Sequence, residues 1–323
     1  MIEVDRLSKR YYTVDAVDRL SFRVGRGEIV GLLGPNGAGK TTTMRMLTTF
    51  LSPTSGRAVL AGHDVLDDPL EVRKRVGYLP ENVPLYPEMR VREYLQFRAQ
   101  LKDVPRSKRR GAIDDVLARC RLEDVESRVL GHLSKGYRQR VGLAEAMVHD
   151  PDILILDEPT SGLDPMQILE VRALIRELGD RHTILLSTHI MSEVEAVCGR
   201  VIMIVKGAIA LDDRLDQIQA EGAIVLEVRG PGEAIRKAIE AIPGVLRAAA
   251  GAPKGDVASF EVRTRDGADL REPIARRVIQ EGWGLLHLDR RRSSLEERFV
   301  RAVHEAEARR TSEPTSATES EAA

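Results

Sequence analysis

At 323 residues the chain is longer than one compact domain of usual size, so two domains are expected. Apolar residues make up 42% and aromatic residues only 4%, which supports sizeable cores built from Leu, Ile, Val and Ala. The 49 basic and 50 acidic residues cancel, which removes the electrostatic case for nucleic acid as a partner.

The chain opens with Met1-Ile2-Glu3-Val4-Asp5, which has neither the basic nor the apolar region of a signal peptide. No apolar run nears the ~20 residues that cross a bilayer. The expectation is a cytoplasmic protein that meets a membrane only through a partner. Residues 1–218 alternate short apolar strands with amphipathic helices, the pattern of a mostly parallel α/β sheet.

The first informative segment is Ile29–Leu33, a buried strand leading into Gly34-Pro35-Asn36-Gly37-Ala38-Gly39-Lys40-Thr41 and then a helix from Thr42 to Leu47. The loop fits G-x-x-x-x-G-K-[ST] in its strand–loop–helix setting. Its glycines let successive N–H groups curl toward phosphate oxygens, and the helix start adds its positive end. Lys40 can then reach β- and γ-phosphates, and the Thr41 hydroxyl can ligate Mg²⁺.

Val76–Leu79 reads as a strand running into Pro80-Glu81-Asn82. From 91 to 149 only helices are expected, a helical lobe inserted into the nucleotide domain. Within it Ser134 reads as the N-cap of a helix reaching to about His149. Ile153-Leu154-Ile155-Leu156 has no polar alternation, as in a central strand buried on both faces. It ends in Asp157-Glu158, two carboxylates where α/β sheets place their ligands. Asp157 is suited to Mg²⁺ and Glu158 to polarising an attacking water. Asp164 caps the next helix with Pro165 at its first position, and Thr183–Ser187 is the neighbouring strand, followed by Thr188 and His189.

Together, Gly34–Thr41, Glu81, Leu133-Ser134-Lys135-Gly136-Tyr137, Asp157-Glu158, Ser161–Asp164 and His189 resemble the ATP-binding subunit of an ABC transporter, over about the first two-thirds of the chain. The resemblance extends to the subset of exporters that includes gliding-motility-type and sodium- or drug-extrusion-type ATPases. It implies a P-loop NTPase fold, ATP and Mg²⁺ as ligands, and a homodimer or heterodimer of ATPase subunits. A separate membrane permease would dock near residues 82–94. One copy would hold ATP through Tyr11, which would stack on adenine, and through the loop from Gly34 to Thr42. Thr41, Asp157 and Glu81 would serve the metal, and Lys40, Glu158 and His189 the chemistry. The other copy would present Ser134, Gly136 and Asp164 to the same γ-phosphate.

Three positions depart from that family's pattern. Glu81 and Tyr137 stand where Gln is common, and Lys135 where Gly is common; Glu81 can accept a hydrogen bond as Gln does but cannot donate one. Two other readings compete with transport. One is an ABC-type ATPase acting on ribosome or DNA. The other is a low-turnover nucleotide-sensing regulatory subunit.

Residues 222–304 read as a second, smaller α+β domain with the order βαββαβ of a ferredoxin-like fold. Trp283, between Gly282 and Gly284, reads as a turn-packed anchor. From 306 to 323 a disordered tail is expected, low in apolar residues.

Overall fold

The computed structural model describes residues 1–220, 222–251, 255–291 and 295–312. The chain opens with β1 (Ile2–Tyr11) and β2 (Val14–Val24), an antiparallel hairpin whose buried positions Ile2, Val4, Val17, Leu20, Phe22 and Val24 face one side. Next come β3 (Ile29–Leu33), α1 (Lys40–Leu47), β4 (Ser55–Leu60) and the short β5 (His63–Asp64). α2 (Pro69–Arg75) leads directly into β6 (Val76–Leu79).

Two sheets result. One is four-stranded and antiparallel, in the order β2-β1-β4-β5. It corrects the expectation of strands alternating with helices from residue 1 onward. Only Ile2–Val4 of β1 and Leu20–Val24 of β2 carry clean period-two burial, as in a sheet with one face on the core.

The helical segment follows as α3 (Val91–Leu101), α4 (Arg106–Arg119) and α5 (Lys135–Met147). Then β7 (Ile153–Asp157), α6 (Pro165–Gly179), β8 (Thr183–Thr188), α7 (Met191–Val197), β9 (Arg200–Val205) and β10 (Ala208–Arg214) complete the second sheet. Its order is β10-β9-β3-β8-β7-β6, with every pair from β9 to β6 parallel. All residues of β7 and β8 are buried, as the uninterrupted apolar run implied. Because β3, β7 and β8 are parallel neighbours, the loops after all three leave the same edge. One buried cluster joins the two sheets through α1, taking in Leu20, Val30, Met44, Leu47, Ile155 and Leu185.

The chain divides into compact units, Met1–Asp213 with the chain from Ala302 onward, and Arg214–Arg301. The second begins with α8 (Leu215–Ala220) and continues through β11 (Ala223–Arg229), α9 (Gly232–Glu240), β12 (Val245–Ala250), β13 (Val257–Thr264), α10 (Arg271–Gln280) and β14 (Gly284–Arg291). From β11 onward this is the βαββαβ order, in an antiparallel sheet β12-β13-β11-β14. Ile224, Leu226 and Val228 alternate inward and meet Ile235 and Ile239 of α9 and Ile274 and Val278 of α10. Trp283 packs on that cluster, and its backbone N–H donates to the Val278 carbonyl at 3.1 Å. α11 (Leu295–Ser312) runs past residue 306, where the tail was expected to begin. Ala306, Glu307, Ala308, Arg309 and Arg310 are all strong helix formers. The rest of that expected tail, 313–323, lies outside the described residues.

Cys120 and Cys198 are buried, and desolvation pushes each thiol up to about 12. Gly77 of β6 has no space for a side chain, because a Cβ there would collide with the backbone carbonyl oxygen of Ala146 in α5. Gly77→Val is expected to destabilise the fold by about 3 kcal/mol. Thermal and urea unfolding measure this. A variant that unfolds with the wild type would show that β6 and α5 can separate at no cost.

Candidate functional site

The loop from Gly34 to Gly39 joins β3 to α1, and its shape depends on glycine at specific points. A Cβ at Gly34 would strike the Ile204 carbonyl. Gly37 and Gly39 have φ of 77° and 107°, a region that side chains disfavour. The Gly207 N–H donates to the Ala38 carbonyl at 3.0 Å and ties the loop to the β9–β10 turn. α1 starts at Gly39 with no side-chain cap and no acidic residue in its first turn. Its first N–H groups are therefore left for an anion from outside.

Lys40 is 6% exposed. Its Nζ donates to the Gly34 carbonyl at 2.8 Å and the Pro35 carbonyl at 3.3 Å, and lies 3.5 Å from Glu158 Oε1. The ammonium is thus held within the loop by its own backbone and one carboxylate. Across from it, β7 ends in Asp157, which is fully buried. Asp157 Oδ1 accepts from the Thr41 hydroxyl at 3.3 Å and from the Ser187 hydroxyl. Its Oδ2 is buried with no hydrogen-bond partner among the described residues. A desolvated carboxylate oxygen left unpaired beside a hydroxyl suits a hard cation that keeps much of its water and takes few protein ligands. Mg²⁺ fits this donor set, which Thr41 and Asp157 would provide, and Glu81 lines the crevice with Thr41.

Glu158 follows with φ 48°, in the left-handed region. Its N–H donates to the Ser187 carbonyl at 3.1 Å and the Ser187 hydroxyl at 3.2 Å, which holds this turn. Its carboxylate spans two partners, Lys40 on Oε1 and His189 Nδ1 on Oε2 at 3.0 Å. Burial, with the Asp157 charge second, pushes the Tyr78 hydroxyl in β6 up to about 12, so it stays protonated at neutral pH.

The loop from Asn36 to Thr42 lines an open crevice of about 440 Å³ together with Glu81, Glu158 and His189, and Ala16 and Ser161 also line it. The sequence did not single out Ala16 or Ser187, although a polar Ser187 in an otherwise apolar strand was a signal. Tyr11 is not among the described residues of that wall. It ends β1 half-exposed, with Lys9 Nζ 5.4 Å from its ring centroid, and Tyr12 is fully exposed.

Ser134, Gly136 and Asp164 form a second group, also outside the crevice wall. Ser134 caps α5 by accepting from Tyr137 N at 3.3 Å, and Asp164 caps α6 by accepting from Gln167 N at 2.9 Å. The two helix starts touch: a Cβ at Gly136 would run into the Gln167 side chain, and one at Gly162 into the Lys135 ammonium. Tyr137 has a local job, donating its hydroxyl to Asp124 at 2.8 Å while the Arg140 guanidinium lies 5.1 Å over its ring.

A family model described as ABC transporter matches residues 17–161. Among curated proteins, the uncharacterized ABC transporter ATP-binding protein YxlF of Bacillus subtilis is 34% identical, over 94% of this chain and 100% of its own. The Nod factor export ATP-binding protein I of Burkholderia pseudomallei is 41% identical, over 71% of this chain and 77% of its own. Among solved structures, the dimeric bacterial ABC transporter cassette MJ0796 superposes with a TM-score of 0.62 at 23% identity, covering 67% of this chain and 99% of its own.

The Lys40 contacts make a direct expectation. Lys40→Ala removes the ammonium held on the Gly34 and Pro35 carbonyls and should weaken ATP binding at least about tenfold, the worth of one hydrogen bond to a charged group. Titration with a fluorescent ATP analogue measures it. Unchanged affinity would remove Lys40 from phosphate binding.

Proposed function

The chain belongs to the ABC transporter ATP-binding proteins, an ATP-hydrolysing family, and we propose that two ATPase subunits, alike or paired, close on ATP to drive a separate permease in the direction of export. The observation that carries the hydrolytic part is the Glu158 carboxylate, set 3.5 Å from Lys40 and 3.0 Å from His189 at the mouth of the phosphate loop.

ATP phosphates lie against the loop N–H groups from Gly37 to Thr42, and Lys40 exchanges its carbonyl partners for phosphate oxygens. Glu158 takes a proton from the attacking water, whose oxygen bonds in line to the γ-phosphorus as the bond to the β–γ bridging oxygen breaks and ADP leaves, while His189 orients Glu158 and reaches the same phosphate. Lys40 and the loop N–H groups neutralise the charge that builds on the phosphoryl oxygens. Thr41 and Asp157, with Glu81 nearby, would hold Mg²⁺, which when bound would supply further neutralisation of the phosphate charge.

The reading calls on a second copy for the rest of the site. Ser134 and Gly136 stand at the start of the 13-residue α5, and Asp164 caps the adjoining α6. These adjoining helix starts lie outside the crevice lined by the phosphate loop, and in the paired arrangement they would meet the γ-phosphate held by the other copy. The dimeric cassette with the same fold, and the export named for a relative, support pairing and direction.

No helix among the described residues is long and apolar enough to cross a membrane. The permease of this reading is a separate protein, and the docking place it gives is near residues 82–94. Tyr86 there is exposed at 45% and meets Tyr94 and Phe97 edge-on at 6.1 and 5.7 Å. Tyr94 itself is buried, so Tyr86 is the ring presented to solvent there, a residue type enriched at interfaces. A permease contact at Tyr86 would place the chain at the membrane.

Glu158→Gln should retain ATP, accumulate closed pairs and lose at least about a hundredfold in turnover, the usual contribution of a general base. Phosphate release and gel filtration read the two effects, and near-normal turnover would remove Glu158 as the base. Ser134→Arg places a bulky cation at the α5 start. It should block ATP-dependent pairing while leaving ATP binding by the single chain intact, read by light scattering and equilibrium binding. Normal pairing in that variant would leave α5 a purely structural helix.

A further inference from the structure

Glu193 is a buried carboxylate that the chemistry above leaves unused. It lies in the first turn of α7 at 3% exposure. Threonine hydroxyls take both of its oxygens. Thr160 donates to Oε1, and Thr188 donates to Oε2 at 2.7 Å. Both threonines are themselves buried.

Their positions give the contacts their meaning. Thr160 is two residues past Glu158, and Thr188 immediately precedes His189. The Thr188 hydroxyl also accepts from the Ile190 N–H at 3.0 Å, and the Glu193 N–H donates to the Ile190 carbonyl at 3.1 Å. His189 is therefore enclosed in a turn that Glu193 closes from both the side chain and the backbone. Arg172 of α6 backs the carboxylate, with Nη2 3.8 Å from Oε1 and 3.4 Å from the Ser192 hydroxyl. Burying a carboxylate is costly, and an apolar residue of similar size would fill this space without that cost. What the carboxylate adds is two oriented acceptor oxygens, one for each strand exit.

We propose that Glu193 is a positioning residue that sets the Glu158–His189 distance by clamping Thr160 and Thr188 to a single carboxylate. It touches neither ATP nor the attacking water. This rests on the roles given above to Glu158 and His189. A pair that must stay within hydrogen-bond reach loses rate steeply when its supports loosen, and an error near 1 Å can cost about a hundredfold.

The test is ATP hydrolysis by the full-length chain, with thermal melting of each variant alongside. Glu193→Ala should lower kcat by about ten- to a hundredfold while KM for ATP stays within about twofold. Glu193→Gln keeps one acceptor oxygen and should fall between. In a His189→Ala background, followed by single-turnover measurement, Glu193→Ala should add less than about a twofold further loss, because the pair it serves is already broken. Thr160→Val keeps the volume, removes one donor and should reproduce part of the kcat loss, which decides the matter if Glu193→Ala does not fold. An unchanged kcat, a parallel fall in kcat, KM and melting temperature, or a full multiplicative loss in the His189→Ala background would each overturn the clamp. If Glu158→Gln and His189→Ala both turn over normally, the reading of the site fails instead; if both are slow but Glu193 and Thr160 variants keep full kcat, only the clamp does.

Discussion

The site depends on one electrostatic constraint: an ammonium and a carboxylate, Lys40 and Glu158, stand 3.5 Å apart where three buried parallel strands end. Both are less than a tenth exposed, so neither charge is tolerable without the other or a substitute. The loop carbonyls of Gly34 and Pro35 complete the ammonium's shell, and His189 completes the carboxylate's. A triphosphate can replace the first set of partners without leaving Lys40 unpaired. The resting arrangement is thus already organised for the charge it is to receive.

The helix starts at two separate positions differ in kind. The α1 start is fed by a glycine loop and has no cap of its own. The α5 and α6 starts are capped by Ser134 and Asp164 and pressed against each other through Gly136 and Gly162. That contact makes them one body within the chain. Tyr137 and Lys135, which depart from the family's common residues, are both used in it or beside it: Tyr137 on Asp124 and Arg140, Lys135 against Gly162. These departures add local tethers around the α5 start.

Features whose geometry is encoded over a few residues were legible in the sequence. Gly34–Thr41 specify a turn, a cradle and a helix start in eight positions, and Ile153–Glu158 specify a buried strand and its exit. The order βαββαβ of the second unit was likewise readable from its short strand and helix segments. Contacts that link distant segments were not legible. Ser187 meets Asp157 across 30 positions and Glu193 meets Thr160 across 33, and nothing in either local pattern names the partner. The hairpin of β1 and β2 was missed for another reason. Its pairing shifts between Val4 and Leu7 and again between Leu7 and Arg10, which breaks the clean alternation by which strands are recognised.

The most direct measurement is a structure of the full chain with Mg²⁺ and a slowly hydrolysed ATP analogue, paired with solution scattering of the same sample. Two copies are predicted, with each γ-phosphate between Lys40 of one and Ser134 of the other, and with a scattering mass twice that of the chain. A nucleotide held by a solitary chain, or a pair joined through surfaces that leave Ser134 far from any phosphate, would contradict the account.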